Sequence, residues 1–75
     1  MKRVINDLLY DTDTADLIFT EEDTNRKLYK TPNGKFFTLY PTGEIRAKTE
    51  EAIKDYLGRY DVEKYIKVFG KPGEA

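Results

Sequence analysis

Leu28-Tyr29-Lys30-Thr31-Pro32-Asn33-Gly34-Lys35-Phe36-Phe37-Thr38-Leu39-Tyr40 decides the fold of this chain. Two runs rich in aromatic and apolar residues flank Pro-Asn-Gly, which is a strong short-range signal for a β-hairpin. Two registers satisfy it. A two-residue Asn33-Gly34 turn pairs Leu28 with Leu39 and Lys30 with Phe37. Tyr29, Phe36, Thr38 and Tyr40 then lie opposite the core. A type I turn centred on Pro32-Asn33, with Gly34 as a left-handed bulge, pairs Tyr29 with Phe37 and groups Leu28, Phe36 and Tyr40. Proline at the first central position favours the second register. Either way aromatics occupy both faces, so a sheet covered by helices on one side alone exposes some of them.

Before the hairpin, Val4-Ile5 and Leu8-Leu9-Tyr10 read as short strands around an Asn6-Asp7 turn, because Asn and Asp tolerate the left-handed region. Asp11-Thr12-Asp13-Thr14 competes for backbone hydrogen bonds and reads as a turn or a single helical turn. Ala15–Thr20 reads as a strand and 21–25 as a polar connection. After the hairpin, Tyr40-Pro41-Thr42-Gly43 is a second turn and Glu44-Ile45-Arg46 a last short strand. Thr49 is a good N-cap, with Glu50 and Glu51 at the positive helix end. Ala52, Ile53, Tyr56, Leu57 and Tyr60 follow at helical spacing. Asp61 can cap a second helix carrying Val62, Tyr65, Ile66 and Phe69, and Gly70 and Pro72 stop it.

Strands first and helices second predict an α+β fold. The expected architecture is a small antiparallel β-sheet of three to five short strands, followed by two C-terminal helices packed on one face. The chain has 75 residues, which predicts one domain over residues 1–70 with a frayed tail at 71–75. Without Cys or His, the core rests on aliphatics and on six Tyr and four Phe. A chain this short buries only about 60–65% of its unfolded surface. No apolar run approaches the roughly 20 residues that span a bilayer, and the opening Met1-Lys2-Arg3-Val4-Ile5-Asn6-Asp7 turns polar too early for a signal peptide. A cytoplasmic protein with no membrane partner is expected.

Charge is polarised along the chain. Residues 1–25 carry two basic and seven acidic side chains, and residues 26–48 carry six basic ones against Glu44 alone. The two segments can lie side by side and screen each other, or present two faces of opposite sign.

Catalysis has little support, because the commonest acid–base and nucleophilic residues are missing. No phosphate-binding glycine loop is present. Asp11, Asp13 and Asp16 suggest calcium, but Asp16 stands where a calcium loop needs glycine, so turn and capping roles fit better. No metal or cofactor is expected. Two binding classes remain. The hairpin side chains Tyr29, Lys30, Lys35, Phe36 and Tyr40 are candidate partner-binding residues. With Lys27 they also suit a small nucleic-acid-binding regulator, which stacks bases on aromatics and contacts phosphates with lysines. The acidic segment Asp11, Asp13, Asp16, Glu21, Glu22 and Asp23 is a second candidate protein-binding surface, able to dock on a basic groove. Tyr56, Tyr60 and Tyr65 fall on the expected core stripe and read as core-edge residues. A monomer, or a homodimer paired through a sheet edge, is expected.

Met1-Lys2-Arg3-Val4-Ile5-Asn6, then Tyr10-Asp11-Thr12-Asp13-Thr14-Ala15, resembles small proteins of phages and conjugative elements of Gram-positive bacteria. The likeness continues through Leu28-Tyr29-Lys30-Thr31, Asn33-Gly34-Lys35-Phe36-Phe37 and Thr49-Glu50-Glu51-Ala52. Asp7 stands where those proteins carry a turn glycine, and Tyr56 where a tryptophan is common. The resemblance implies no activity. It implies a context, the accessory genes of mobile elements, whose small proteins often bind and block a host defence protein, CRISPR nucleases included. The resulting expectation is a non-enzymatic protein-binding accessory protein, an anti-CRISPR-type inhibitor that occludes a host effector.

Overall fold

The computed structural model describes residues 1–75. Six strands precede two helices: β1 (Lys2–Ile5), β2 (Leu8–Asp11), β3 (Asp16–Thr20), β4 (Lys27–Lys30), β5 (Phe36–Leu39), β6 (Ile45–Lys48), α1 (Glu50–Tyr60) and α2 (Val62–Phe69). The expected α+β order holds. The strands form two sheets, a β3-β4-β5-β6 antiparallel meander and a separate β1-β2 ribbon.

The central hairpin takes the second register. Tyr29 pairs with Phe37 and Lys30 with Phe36. Gly34 N–H donates to Thr31 O at 2.9 Å, Thr31 N–H donates to Lys35 O at 2.7 Å, and Gly34 sits at φ +82°. This is a three-residue loop with a left-handed glycine, the geometry that Pro32 favours. The β5–β6 turn repeats it: Gly43 N–H donates to Tyr40 O at 2.8 Å, and Gly43 has φ +91°. Asn6 and Asp7, at φ +50° and +64°, make the two-residue turn of the ribbon without a glycine.

Strand alternation divides the hairpin between two cores. Tyr29, Phe37 and Ile45 face the ribbon, where Tyr10 meets them and Ile5, Ala15 and Leu39 close the edges. The Phe37 ring stacks on Tyr29 at 5.0 Å and receives Tyr10 edge-on at 5.6 Å. Arg3 donates to Ile45 O at 2.8 Å and ties β1 to β6. Leu28 and Phe36 face the helices and pack with Ile53 and Leu57 of α1 and with Tyr65, Val68 and Phe69 of α2. β3 carries one extra residue between Leu17 and Phe19. That bulge turns Ile18 and Phe19 together toward the helical core and leaves Leu17 outside.

The sheet is therefore covered on both faces, and here one expectation is corrected. Helices over one face only would have left the aromatics of the other face in solvent; the ribbon buries Tyr29 and Phe37 there, while the helices bury Phe36. Tyr29 is 9% exposed and Phe36 2% exposed.

The helix caps follow the sequence. Thr49 Oγ1 accepts from Ala52 N–H at 3.1 Å, and Asp61 Oδ1 accepts from Lys64 N–H at 3.1 Å. Gly70 ends α2 at φ +90°. The expected helical stripes are only partly buried. In α1 the buried side chains are Ile53 and Leu57, whereas Tyr56 and Tyr60 are exposed. In α2, Tyr65 and Phe69 pack inward, but Val62 and Ile66 remain in solvent. A helix of eight residues over a four-stranded sheet covers too little surface to bury a wider face. No helix is long and apolar enough to cross a membrane.

Candidate functional site

The end of the sheet that α2 leaves uncovered opens as a cleft of about 210 Å³ between α1 and β4–β5. Its apolar lining is Phe19, Leu28, Ile53 and Leu57. Its polar lining carries Arg26 and Lys48 against one carboxylate, Glu21, with Tyr40 and Tyr56 beside them; Lys27 borders it through β4 while its side chain alternates to the ribbon face with Tyr29.

Sheet register assembles the polar side. Thr38 pairs with Arg46 and Phe36 with Lys48, so both cations share the helix-side face with Thr38 and Phe36. Arg46 and Arg26 each lie over the Tyr40 ring, 5.2 and 5.7 Å from its centroid. Burial alone would raise the Tyr40 phenol, but the cations Lys48, Arg26 and Arg46 outweigh it and bring the group below the ordinary tyrosine value. Arg26 pairs with Glu21 at 3.2 Å, and Arg46 with Glu44 at 2.8 Å. Neither Lys27 nor Lys48 takes part in an ion pair. On the helix side, burial pushes the Tyr56 phenol up, and the Glu21 carboxylate beside it pushes it further. Tyr60 stands one turn beyond, its ring 5.2 Å from that of Tyr56 and 70% exposed.

The structure separates the residues singled out from sequence. Tyr29 and Phe36 are core side chains, so as surface anchors they are corrected; each is needed to fill one of the two cores. Lys30 reaches over the Phe36 ring at 5.7 Å and pairs across the strands with Asp16. Lys35 is exposed at the tip of the turn. Tyr40 alone of the hairpin group lines the cleft. The basic hairpin thus offers no free aromatic face for stacking a base, since the faces of Tyr29 and Phe36 are buried and Tyr40 lies beneath two arginines.

The acidic segment is divided by the length of β3. Asp11, Asp13 and Asp16 lie at one end, where Asp11 Oδ1 accepts from Asp13 N–H at 2.9 Å in a local turn. Glu21, Glu22 and Asp23 lie at the other, and of these only Glu21 joins the cleft. Arg26 and Lys48 carry no sequence pattern that marks them as cleft residues, and Tyr56 and Tyr60, expected at the core edge, are exposed. The shortness of α2 was the signal that part of the α1 stripe would stay uncovered.

A second exposed apolar group lies on the ribbon, where Val4 pairs with Leu9 on the outer face. No family model matches the sequence, and no curated protein or solved structure matches it either.

Proposed function

We propose that this chain is a non-enzymatic protein-binding accessory protein, and that the cleft with its tyrosine rim is the docking surface. The observation that carries the reading is the exposed Tyr56–Tyr60 pair beside an open cleft edged by Tyr40, Arg26 and Lys48. Tyrosine and arginine dominate interface hot spots because they join large contact area to a polar handle. A solitary domain gains nothing in stability from leaving such rings in water. The likeness of this chain's sequence motifs to mobile-element proteins adds the setting: a cytoplasmic anti-defence inhibitor, of the anti-CRISPR type, that binds a host effector and blocks it sterically.

The test is capture from a Gram-positive host lysate with the tagged chain, with and without nuclease, using wild type and Tyr60→Ala. Tyr60 is largely exposed, so the variant keeps the fold. The expected result is one protein retained after nuclease treatment and weakened at least about tenfold by Tyr60→Ala. Capture that disappears with nuclease would overturn the reading in favour of nucleic-acid binding. Capture indifferent to Tyr60→Ala would move the docking surface elsewhere.

A further inference from the structure

We propose that the α1–sheet cleft is a reader of a short acidic segment of the partner: one large apolar side chain enters the cleft and a flanking carboxylate meets Lys48 and Arg26. The inference rests on the docking function proposed above and adds what the cleft selects.

Size comes first. At about 210 Å³ the cleft falls below the roughly 300–1,000 Å³ typical of small-molecule sites. It suits a single leucine, phenylalanine or tyrosine side chain. Its walls of Phe19, Leu28, Ile53 and Leu57 reward apolar burial. Charge comes second. The lining holds two cations on the helix-side face, Arg26 and Lys48, and one carboxylate, which is already paired with Arg26. Lys48 has no ion-pair partner, and the lowered phenol of Tyr40 reports the same positive field. A carboxylate beside the inserted side chain supplies the missing counter-charge. Reach comes third. Tyr56 and Tyr60 continue the surface along α1, which fits an extended chain better than a compact ligand.

A nucleotide would also bring an anion and an apolar ring, but the ring faces are taken. Tyr40 lies beneath Arg46 and Arg26, and Tyr56 packs against Tyr60. The remaining aromatic wall, Phe19, lies under Lys64 Nζ at 4.3 Å, so a base inserted in the cleft would find no free ring face there.

The experiment is a titration of the isotope-labelled chain, followed through amide shifts. The probes are the capped peptide Glu-Asp-Phe-Glu-Asp, its Phe-to-Gly form, its Gln-Asn-Phe-Gln-Asn form, and a dT decamer. The expected result is saturable shifts at Leu28, Lys48, Ala52 and Ile53 with the first peptide, with a dissociation constant below about 1 mM. Binding should weaken about tenfold in the Gly and the uncharged peptides and in Lys48→Glu, and should fall as salt rises. Ala52→Glu is the second variant. Ala52 is exposed on the lining, and Thr49-x-x-Glu makes a capping box, so this variant folds while placing an anion at the cleft. It should also weaken binding.

No shift at millimolar peptide, shifts confined to the ribbon, or stronger response to the dT decamer would each overturn the proposal. If the peptide fails while lysate capture still depends on Tyr60, the acidic-segment specificity falls and the docking function stands.

Discussion

Replacing Phe37 by leucine tests whether the β1–β2 ribbon is a packed layer of this fold. Phe37 is completely buried and holds two aromatic contacts, stacked on Tyr29 at 5.0 Å and edge-on to Tyr10 at 5.6 Å. Each such pair contributes about 0.5–1.5 kcal/mol beyond area burial, so losing both costs about 1–3 kcal/mol. Leucine keeps most of the apolar volume, and the change of shape adds no more than about 1.5 kcal/mol. We expect a total loss of about 2–3 kcal/mol. A domain of this size has roughly 4–11 kcal/mol to lose, and with eight buried residues this one belongs at the low end. Urea unfolding followed by circular dichroism should show the midpoint falling by about 2–3 M, for a slope near 1 kcal/mol/M. A double-mutant cycle with Tyr10→Leu should return a coupling of about 0.5–1.5 kcal/mol, because Tyr10 reaches Phe37 only through the ribbon. Amide exchange should then lose protection in β1–β2 before β4–β5. A midpoint within about 0.3 M of wild type, or a coupling of zero, refutes the two-sided packing of the sheet.

Three further outcomes follow from single positions. Asp7→Gly should stabilise the chain by about 0.5–1 kcal/mol by relieving an L-residue at φ +64°, read by the same urea assay. Thr49→Ala should cost about 1 kcal/mol by freeing the Ala52 amide, and Thr49→Ser should restore most of it. The tyrosine titration should be ordered by the cleft, with Tyr40 ionising below the ordinary tyrosine value and Tyr56 above it. The depressed Tyr40 group adds stability that is full above the ordinary value and is lost as pH falls through the lowered one. Tyr56 does the reverse, its contribution being full below the ordinary value and lost as pH rises through the raised one. Lys48→Gln should move the Tyr40 ring-carbon titration upward and leave Tyr56 in place; an unmoved Tyr40 would mean that Lys48 does not act on the cleft.

The local chemistry of this fold was legible in the sequence. Pro32 with Gly34 selects a three-residue loop, and Pro41 with Gly43 selects the same loop between β5 and β6. Thr49 and Asp61 announce both helix starts through their side-chain oxygens. What stayed hidden was the assembly of layers. Nothing local in Val4-Ile5 or Leu8-Leu9-Tyr10 says that the ribbon folds back over Phe37 rather than extending the sheet, since either placement buries Tyr10. That one placement decides whether Tyr29 is a surface anchor or a core ring. The Ile18 bulge was hidden for a similar reason, because strict alternation would have sent Ile18 and Phe19 to opposite faces.

The same packing explains why the candidate site lies where it does. Two cores in a 75-residue chain consume nearly all of the hairpin aromatics, leaving α2 only eight residues to cover the rest of the helical face. The sheet end near Tyr40 is therefore roofed by α1 alone, and the tyrosines of α1 that would have met a longer α2 face solvent. Cations gather at that end because Arg26, just before β4, and Arg46 and Lys48 of β6 lie on the helix-side face with no apolar layer above to exclude them. An open apolar cleft with a positive, tyrosine-rich rim is thus a consequence of how few residues build the fold. A longer α2 that covered Tyr56 and Tyr60 would strengthen the domain and remove the surface on which we place its function.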